Sequence, residues 1–284
     1  SLFYLSKQGK LCGMLVSHID DFLHCGDEDF NRLIDRLCER FLAGNRQESV
    51  FKYVGYEIRQ THGEICLSQE KYICNIISPE IKAERKREKS ASLSKEELSS
   101  YRSLVGSINW VVQSTRPDLF YELIDLSTRF HSCTVADLIR AQKLLIKLKA
   151  EPSYVCFPDL GDITEWTIVV YTDASHANVD QVFSCGGAVT FISNGVRCAP
   201  ICWRSGKIHR VVRSTLAAEG LALCDGIADA IYMQAILSEI FHFSVPIVGV
   251  IDQQGLFQNL HSTKLVDDKR LRLDLASLKE DLSK

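Results

Sequence analysis

Four acidic side chains in the C-terminal half stand where a purely structural role explains them poorly. Asp173 ends a continuous apolar or β-branched run, Thr167–Thr172, and Asp252 ends a second run, Pro246–Ile251. If those strands run parallel, both carboxylates emerge at the same sheet end, where α/β folds place ligands. Taken singly, each aspartate also suits a turn or a helix cap. Glu219 is more telling. It lies three residues after Leu216 and four before Leu223, on a stripe continued by Ile227 and Ala230. Asp225 and Asp229 fall on the opposite face, where acids are expected. A carboxylate on a core-facing stripe is costly unless it is paired or metal-bound. Asp274 stands in the same relation to Leu271, Leu275 and Leu278, with a salt bridge to a local Arg or Lys as the alternative. Asp267 and Asp268 read better as caps. Carboxylates that converge without a counter-charge repel one another. One or two bound Mg²⁺ ions, or Mn²⁺, would relieve this, since hard oxygen ligands select these ions over zinc. Paired metals activate a water and stabilise the leaving oxygen of a phosphodiester. Metal-assisted phosphodiester hydrolysis is therefore the chemistry these residues predict.

Two further groups bear on a nucleic-acid partner. Arg204, Lys207, His209, Arg210 and Arg213 crowd the ten residues before the Glu219 helix. Such clusters contact phosphates and give salt-dependent affinity; a solvated basic loop is the alternative. Near the N-terminus, Asp20 and Asp21 occupy the tip of a hairpin between Leu11–Ile19 and Phe22–Cys25. Alone, that pair would be an acidic turn.

The elements that position these residues follow from hydrophobic periodicity. Strands are expected at Thr167–Thr172, Gly187–Ile192 and Val196–Trp203, with a hairpin turn at Asn194-Gly195. Pro200 assigns the third of these to a sheet edge, because proline cannot donate to a ladder. A long helix is expected from about Thr215 to Ile240, then the strand Pro246–Ile251, then helices near 254–261 and 268–281. The order βββαβα indicates an α/β domain with a mixed sheet. Upstream, Phe30, Leu33, Ile34, Leu37 and Phe41 recur at helical spacing, and Phe51–Ile58 reads as a strand. A turn at Thr61-His62-Gly63 leads to a return strand at Ile65–Leu67. Residues 80–97 read as an exposed linker. Ser94 and Glu97 form a capping box for a helix through Tyr101, Val105, Ile108 and Val112. Arg116-Pro117-Asp118 ends that helix and begins another, and residues 135–149 form a third. Pro152, Pro158 and Gly161 mark a boundary within 151–165.

Several motifs, in order, carry a family resemblance. Tyr171-Thr172-Asp173-Ala174-Ser175, Ser214-Thr215-Leu216-Ala217-Ala218-Glu219 and Ile251-Asp252 resemble the ribonuclease H domain of Ty1/copia-type retrotransposons. Trp203-Arg204-Ser205-Gly206-Lys207 fits that family's segment before the Glu helix. Tyr101-Arg102-Ser103-Leu104-Val105-Gly106 and Thr115-Arg116-Pro117-Asp118 resemble the connection of the same Pol polyproteins. Residues 63–72 resemble their late reverse-transcriptase segment, and Asp20-Asp21 sits where the polymerases carry an aromatic-x-Asp-Asp hairpin, with His18 in place of the aromatic residue. The resemblance spans nearly the whole chain. It implies a partial reverse-transcriptase palm over 1–78, a helical, thumb-like connection over 79–158, and an RNase H-like domain over 159–284 with a mixed five-stranded sheet flanked by helices. It implies that Asp173, Glu219 and Asp252 bind two Mg²⁺ (or Mn²⁺) ions, with Asp274 as the fourth acid, although Lys269–Asp274 departs from the common form. It implies an RNA–DNA hybrid as substrate, recognised by shape and 2′-hydroxyls, with Arg204, Lys207, Arg210 and Arg213 on its phosphates. The implied partner is the rest of the Pol polyprotein. The implied setting is intracellular, a cytoplasmic virus-like particle with a nuclear phase. The family's first catalytic Asp lies on an earlier strand, outside this chain, so Asp20 and Asp21 are a polymerase remnant and DNA synthesis is not expected of this chain alone.

Composition narrows the rest. A length of 284 residues exceeds one typical domain, and 46% hydrophobic with 24% charged residues excludes a disordered or fibrous chain. The net charge of −3 confines any nucleic-acid role to local patches. No run approaches the ~18–20 apolar residues of a membrane span. Ser1-Leu2-Phe3-Tyr4 reads as a cut within a longer polypeptide. Eleven cysteines without a Cys-x-x-Cys pair read as buried thiols of a reducing compartment, and a zinc site would need tighter spacing. The rival to an enzyme is a non-catalytic retroelement remnant acting as a nucleic-acid-binding or scaffold module. The acids retained on the Glu219 and Asp274 stripes favour the enzyme.

Overall fold

The structure is a computed structural model that describes the chain except residues 152–153, 180–182, 263–265, 267 and 283–284. At the N-terminus β1 (Leu2–Lys7), β2 (Lys10–His18) and β3 (Asp21–Gly26) form an antiparallel sheet. The helix α1 (Glu28–Phe41) packs on it, its start fixed by Asp27, whose carboxylate accepts from the Phe30 amide at 2.9 Å. Cys12, Leu15, Phe30 and Ile34 form the small core between them. Gly13 and Gly26 are needed there, because a Cβ at either would run into the Phe30 ring.

A second sheet contains β4 (Val50–Tyr53), β5 (Tyr56–Thr61), β6 (Glu64–Ser68) and β7 (Val155–Pro158), in that order. The single strand expected over Phe51–Ile58 is thus two. Val54 and Gly55 have φ of 48° and 83° and turn the chain back, closing on the pair Tyr53–Tyr56. Positive φ at both positions is the hairpin geometry that matches strand twist. The strand β7 arrives from beyond the helices and sets Cys156 directly opposite Cys66. Those two cysteines form a disulfide with Cα atoms 4.1 Å apart. This corrects the expectation of buried thiols throughout. Among the free cysteines Cys12, Cys133 and Cys185 are buried, while Cys25, Cys74 and Cys198 are exposed.

The helices α2 (Glu70–Asn75), α3 (Lys95–Ser114), α4 (Phe120–Thr128) and α5 (Val135–Ala150) follow. The Ser94–Glu97 capping box opens α3, and Arg85 pairs with Glu97 at 3.0 Å. Tyr101, Ile108, Leu119, Leu123, Leu138 and Leu145 form the centre of their core. The break after α3 is held by Arg116, buried at 3% exposure, which bonds both Asp118 oxygens at 2.8 Å and the Glu151 carbonyl at 2.6 Å. A buried guanidinium needs such complete pairing.

The C-terminal sheet has the order β10-β9-β8-β11, from β8 (Thr167–Val179), β9 (Phe183–Ser193), β10 (Cys198–Lys207) and β11 (Ile247–Val250). The strand β11 runs parallel to β8 and the other pairs are antiparallel. The strand β10 is an edge, as Pro200 requires, and its register slips between Pro200 and Cys202. Among the described residues the sheet has four strands, one fewer than expected. The helices α6 (Thr215–Phe241), α7 (Gln254–His261) and α8 (Lys269–Leu282) complete this part. By length and composition α6 is long and apolar enough to cross a membrane, although no single unbroken apolar run of that length appears in the sequence. Here it is a core helix: Ala218, Leu223, Ile227 and Ala230 are buried. Gly226 lets it approach β8, since a Cβ there would lie 2.8 Å from Thr172 Cγ2 and 2.9 Å from Val170 Cγ1. Gly226→Leu is therefore expected to push α6 off the sheet and cost about 3 kcal/mol in urea unfolding, despite the better helix propensity of Leu. Unchanged stability would show that α6 does not sit this close to β8.

Candidate active site

Strand register sets the site. Val250 of β11 lies opposite Tyr171 of β8 in a parallel ladder. Asp252, just past the end of β11, and Asp173, still within β8 and opposite Gly187 of β9, are each two residues further on and so stand at the same level. The side chain of Ser214 accepts from the Ala217 amide at 3.2 Å and fixes the start of α6, whose first turn and a half brings Glu219 to that level. Asp173, Glu219 and Asp252 each offer a carboxylate oxygen, and these atoms all lie within 4.8 Å of one another.

The three environments differ. Asp173 and Asp252 are exposed, whereas Glu219 is 4% exposed and its Oε2 is buried with no hydrogen-bond partner among the described residues. Burial, reinforced by the charge of Asp173 and then of Asp252, pushes the Glu219 carboxyl up to about 7. A hydrogen bond from the Ala174 backbone opposes this, and no cation among the described residues is one of the groups that shift it. An orphaned buried carboxylate oxygen beside two other carboxylates fits a hard divalent cation better than it fits a salt bridge. Three more buried polar atoms, close to the acids in sequence, have no hydrogen-bond partner among the described residues: Thr172 Oγ1, Ser175 Oγ and Gln253 Oε1. Sequence reasoning assigned them no role; their only signal was adjacency to Asp173 and Asp252.

The remaining candidates lie elsewhere. Asp274, on α8, is not in the group of three; its carboxylate pairs with the Arg210 guanidinium. Arg204, on β10, bonds Asp229 at 3.2 Å and lies 3.8 Å from Asp225. Lys207 ends β10, partly buried, and Arg213 is exposed just before the α6 cap. Asp20 and Asp21 are exposed at the β2–β3 turn and belong to none of the ligand groups among the described residues. The other such group, Glu64, Cys66 and Cys156, contains the disulfide and so presents no thiolates.

A mixed sheet with one parallel strand, a long helix across it and three carboxylates at one sheet end define a ribonuclease H-like fold. Most of the chain is similar to the Pol polyproteins of Ty1/copia-type retrotransposons. It is 26% identical over 254 residues to a retrovirus-related Pol polyprotein from transposon RE1 of Arabidopsis thaliana, covering 84% of this chain and 17% of that protein. It is 27% identical over 270 residues to the corresponding polyprotein from transposon RE2 of the same plant, covering 90% and 18%. The chain thus spans less than a fifth of the length of these relatives. Among solved structures, a foamy viral protease-reverse transcriptase in complex with an RNA/DNA hybrid superposes with a TM-score of 0.53 at 13% identity, over 94% of this chain and 34% of that one. No protein-family model matches the chain.

Proposed function

We propose that this chain is a fragment of a retrotransposon Pol polyprotein, the end of the reverse transcriptase with its polymerase part incomplete and then the ribonuclease H part, and that its C-terminal part hydrolyses the RNA strand of RNA–DNA hybrids with divalent metal ions. The observation that carries this reading is the cluster of Asp173, Glu219 and Asp252 around an unpartnered buried carboxylate oxygen. These three residues would hold the ions. When bound, Mg²⁺ supplies the positive charge that activates water and stabilises the leaving oxygen of a phosphodiester. The chain supplies placement. The ladder between β8 and β11 fixes Asp173 and Asp252 at the surface, where a nucleic-acid backbone can reach them. Glu219 backs the cluster from α6 and must give up its proton to serve it. The test is divalent binding by calorimetry together with cleavage of a hybrid compared with RNA and DNA duplexes of the same sequence. Binding without hybrid cleavage would favour the non-catalytic remnant.

Phosphate contacts divide by their existing partners. Arg204 is committed to Asp229 and Asp225, so Arg204→Gln is expected to leave the salt dependence of hybrid binding unchanged. Arg213→Gln is expected to lower the log–log salt slope by about 0.7–0.9, the value of one lost phosphate contact. An unchanged slope would return Arg213 to a solvated loop. Asp20→Asn with Asp21→Asn is expected to leave hybrid cleavage unaltered, because those acids lie on a different sheet from the cluster. A loss of cleavage in that double variant would tie the N-terminal hairpin to the site.

A further inference from the structure

We infer that Asp274 is a positioning residue that acts through Arg210, and that Asp173, Glu219 and Asp252 form the metal-binding cluster without it. The inference rests on the ribonuclease-type reading of those three acids. Asp274 projects from the rim of α8, whose Leu271, Leu275 and Leu278 are buried in one core with Val212, Ala218 and Leu223. Its carboxylate and the Arg210 guanidinium are both partly buried, at 20% and 37% exposure, and they engage one another across 64 residues of sequence. The pair is anchored from a second side, since Cys224 Sγ on α6 approaches the Asp274 carbonyl at 3.9 Å.

Arg210 belongs to the stretch 208–213, which has neither helix nor strand. The Ile208 amide donates to the Ser184 carbonyl at 2.8 Å. A ring nitrogen of His176 lies 3.4 Å from the Val212 carbonyl, and the Val212 side chain is buried. Between these ends the Arg210–Asp274 ion pair ties the stretch to α8. The stretch leads directly into Ser214, the cap of α6, five residues before Glu219, and it carries Arg213. Holding it in place therefore sets both the basic approach to the site and the start of the helix that carries Glu219. An ion pair with no net charge offers little to a phosphate. Arg210 is thus assigned to shape rather than to direct backbone contact.

The test separates a positioning residue from a metal ligand. Asp274→Asn keeps the side-chain shape and removes the charge. It is expected to leave Mn²⁺ affinity within about twofold, to raise KM for a hybrid about fivefold, and to leave kcat within about twofold. The exchanged pair, Arg210→Asp with Asp274→Arg, is expected to bring KM back toward the parent value, and Arg210→Lys, which keeps the charge, to retain it. A loss of Mn²⁺ affinity and of kcat by about 100-fold in Asp274→Asn, with no rescue by the exchange, would make Asp274 a ligand and overturn the inference. A lowered melting temperature with unchanged KM would also overturn it, by reducing the pair to a stability contact. Asp173→Asn serves as the control. If that variant keeps full cleavage, the fault lies with the ribonuclease reading and not with Asp274.

Discussion

Asp173→Asn is expected to lower hybrid cleavage by at least about 100-fold while the protein remains folded. The substitution is isosteric and removes one carboxylate charge from a cluster whose oxygens lie within 4.8 Å of one another. Asp173 is exposed, and its backbone sits in the β8–β9 ladder opposite Gly187, so the change leaves the sheet's pairing intact. Asp173 is the largest electrostatic cause of the raised Glu219 carboxyl, after burial. Without divalent ions and above neutral pH, Asp173→Asn is therefore expected to be more stable than the parent, although it is inactive. Circular dichroism melts in a chelator and cleavage assays in Mg²⁺ read the two effects separately. Parental cleavage rates in the variant would remove Asp173 from the site.

The second large effect concerns pH. The Glu219 carboxyl is raised from an ordinary 4.5 to about 7 by burial, then by Asp173 and Asp252. The folded protein thus holds this proton more tightly than the unfolded chain does. The stability that the protonated group contributes is whole below about pH 4.5 and is lost as pH rises through about 7. The full change is on the order of 3 kcal/mol, since one unit is worth about 1.4 kcal/mol. A divalent ion that binds only the folded cluster reverses the loss by mass action. Urea unfolding between about pH 5 and 8 is expected to show falling stability in a chelator and a much flatter profile in millimolar Mg²⁺. Glu219→Gln is expected to remove this fall in both conditions. A flat profile in the chelator would mean that Glu219 is not buried against the two aspartates.

The legible parts of this molecule were those with local signals. Asp173 and Asp252 each follow a β-branched run, and equal placement in two parallel strands brings them level. Glu219 stood out by helical period alone, because a stripe of Leu216, Leu223 and Ile227 leaves no place for an unpaired acid. The Ser94–Glu97 capping box and the edge position forced by Pro200 are likewise written in a few consecutive residues. Long-range pairings were not legible. Cys66 meets Cys156 across 90 residues, and nothing near either one announces a partner. Asp274 shares the helical pattern of Glu219, yet it pairs with Arg210 because α8 carries it to the stretch before α6 rather than to the sheet end. Helical period tells which face an acid lies on, but not what that face meets. The Val54-Gly55 turn was hidden for another reason: Val is a strand former, and only its positive φ reveals the reversal.

We propose that this chain cuts RNA paired with DNA by means of its three-carboxylate cluster. The direct measurement incubates the purified full chain with a hybrid labelled on either strand, in Mg²⁺ and in a chelator. Cleavage is expected to be confined to the RNA strand, dependent on Mg²⁺ and abolished by Asp173→Asn. A folded chain that binds divalent ions yet leaves the RNA strand intact, even at high protein concentration, would contradict it.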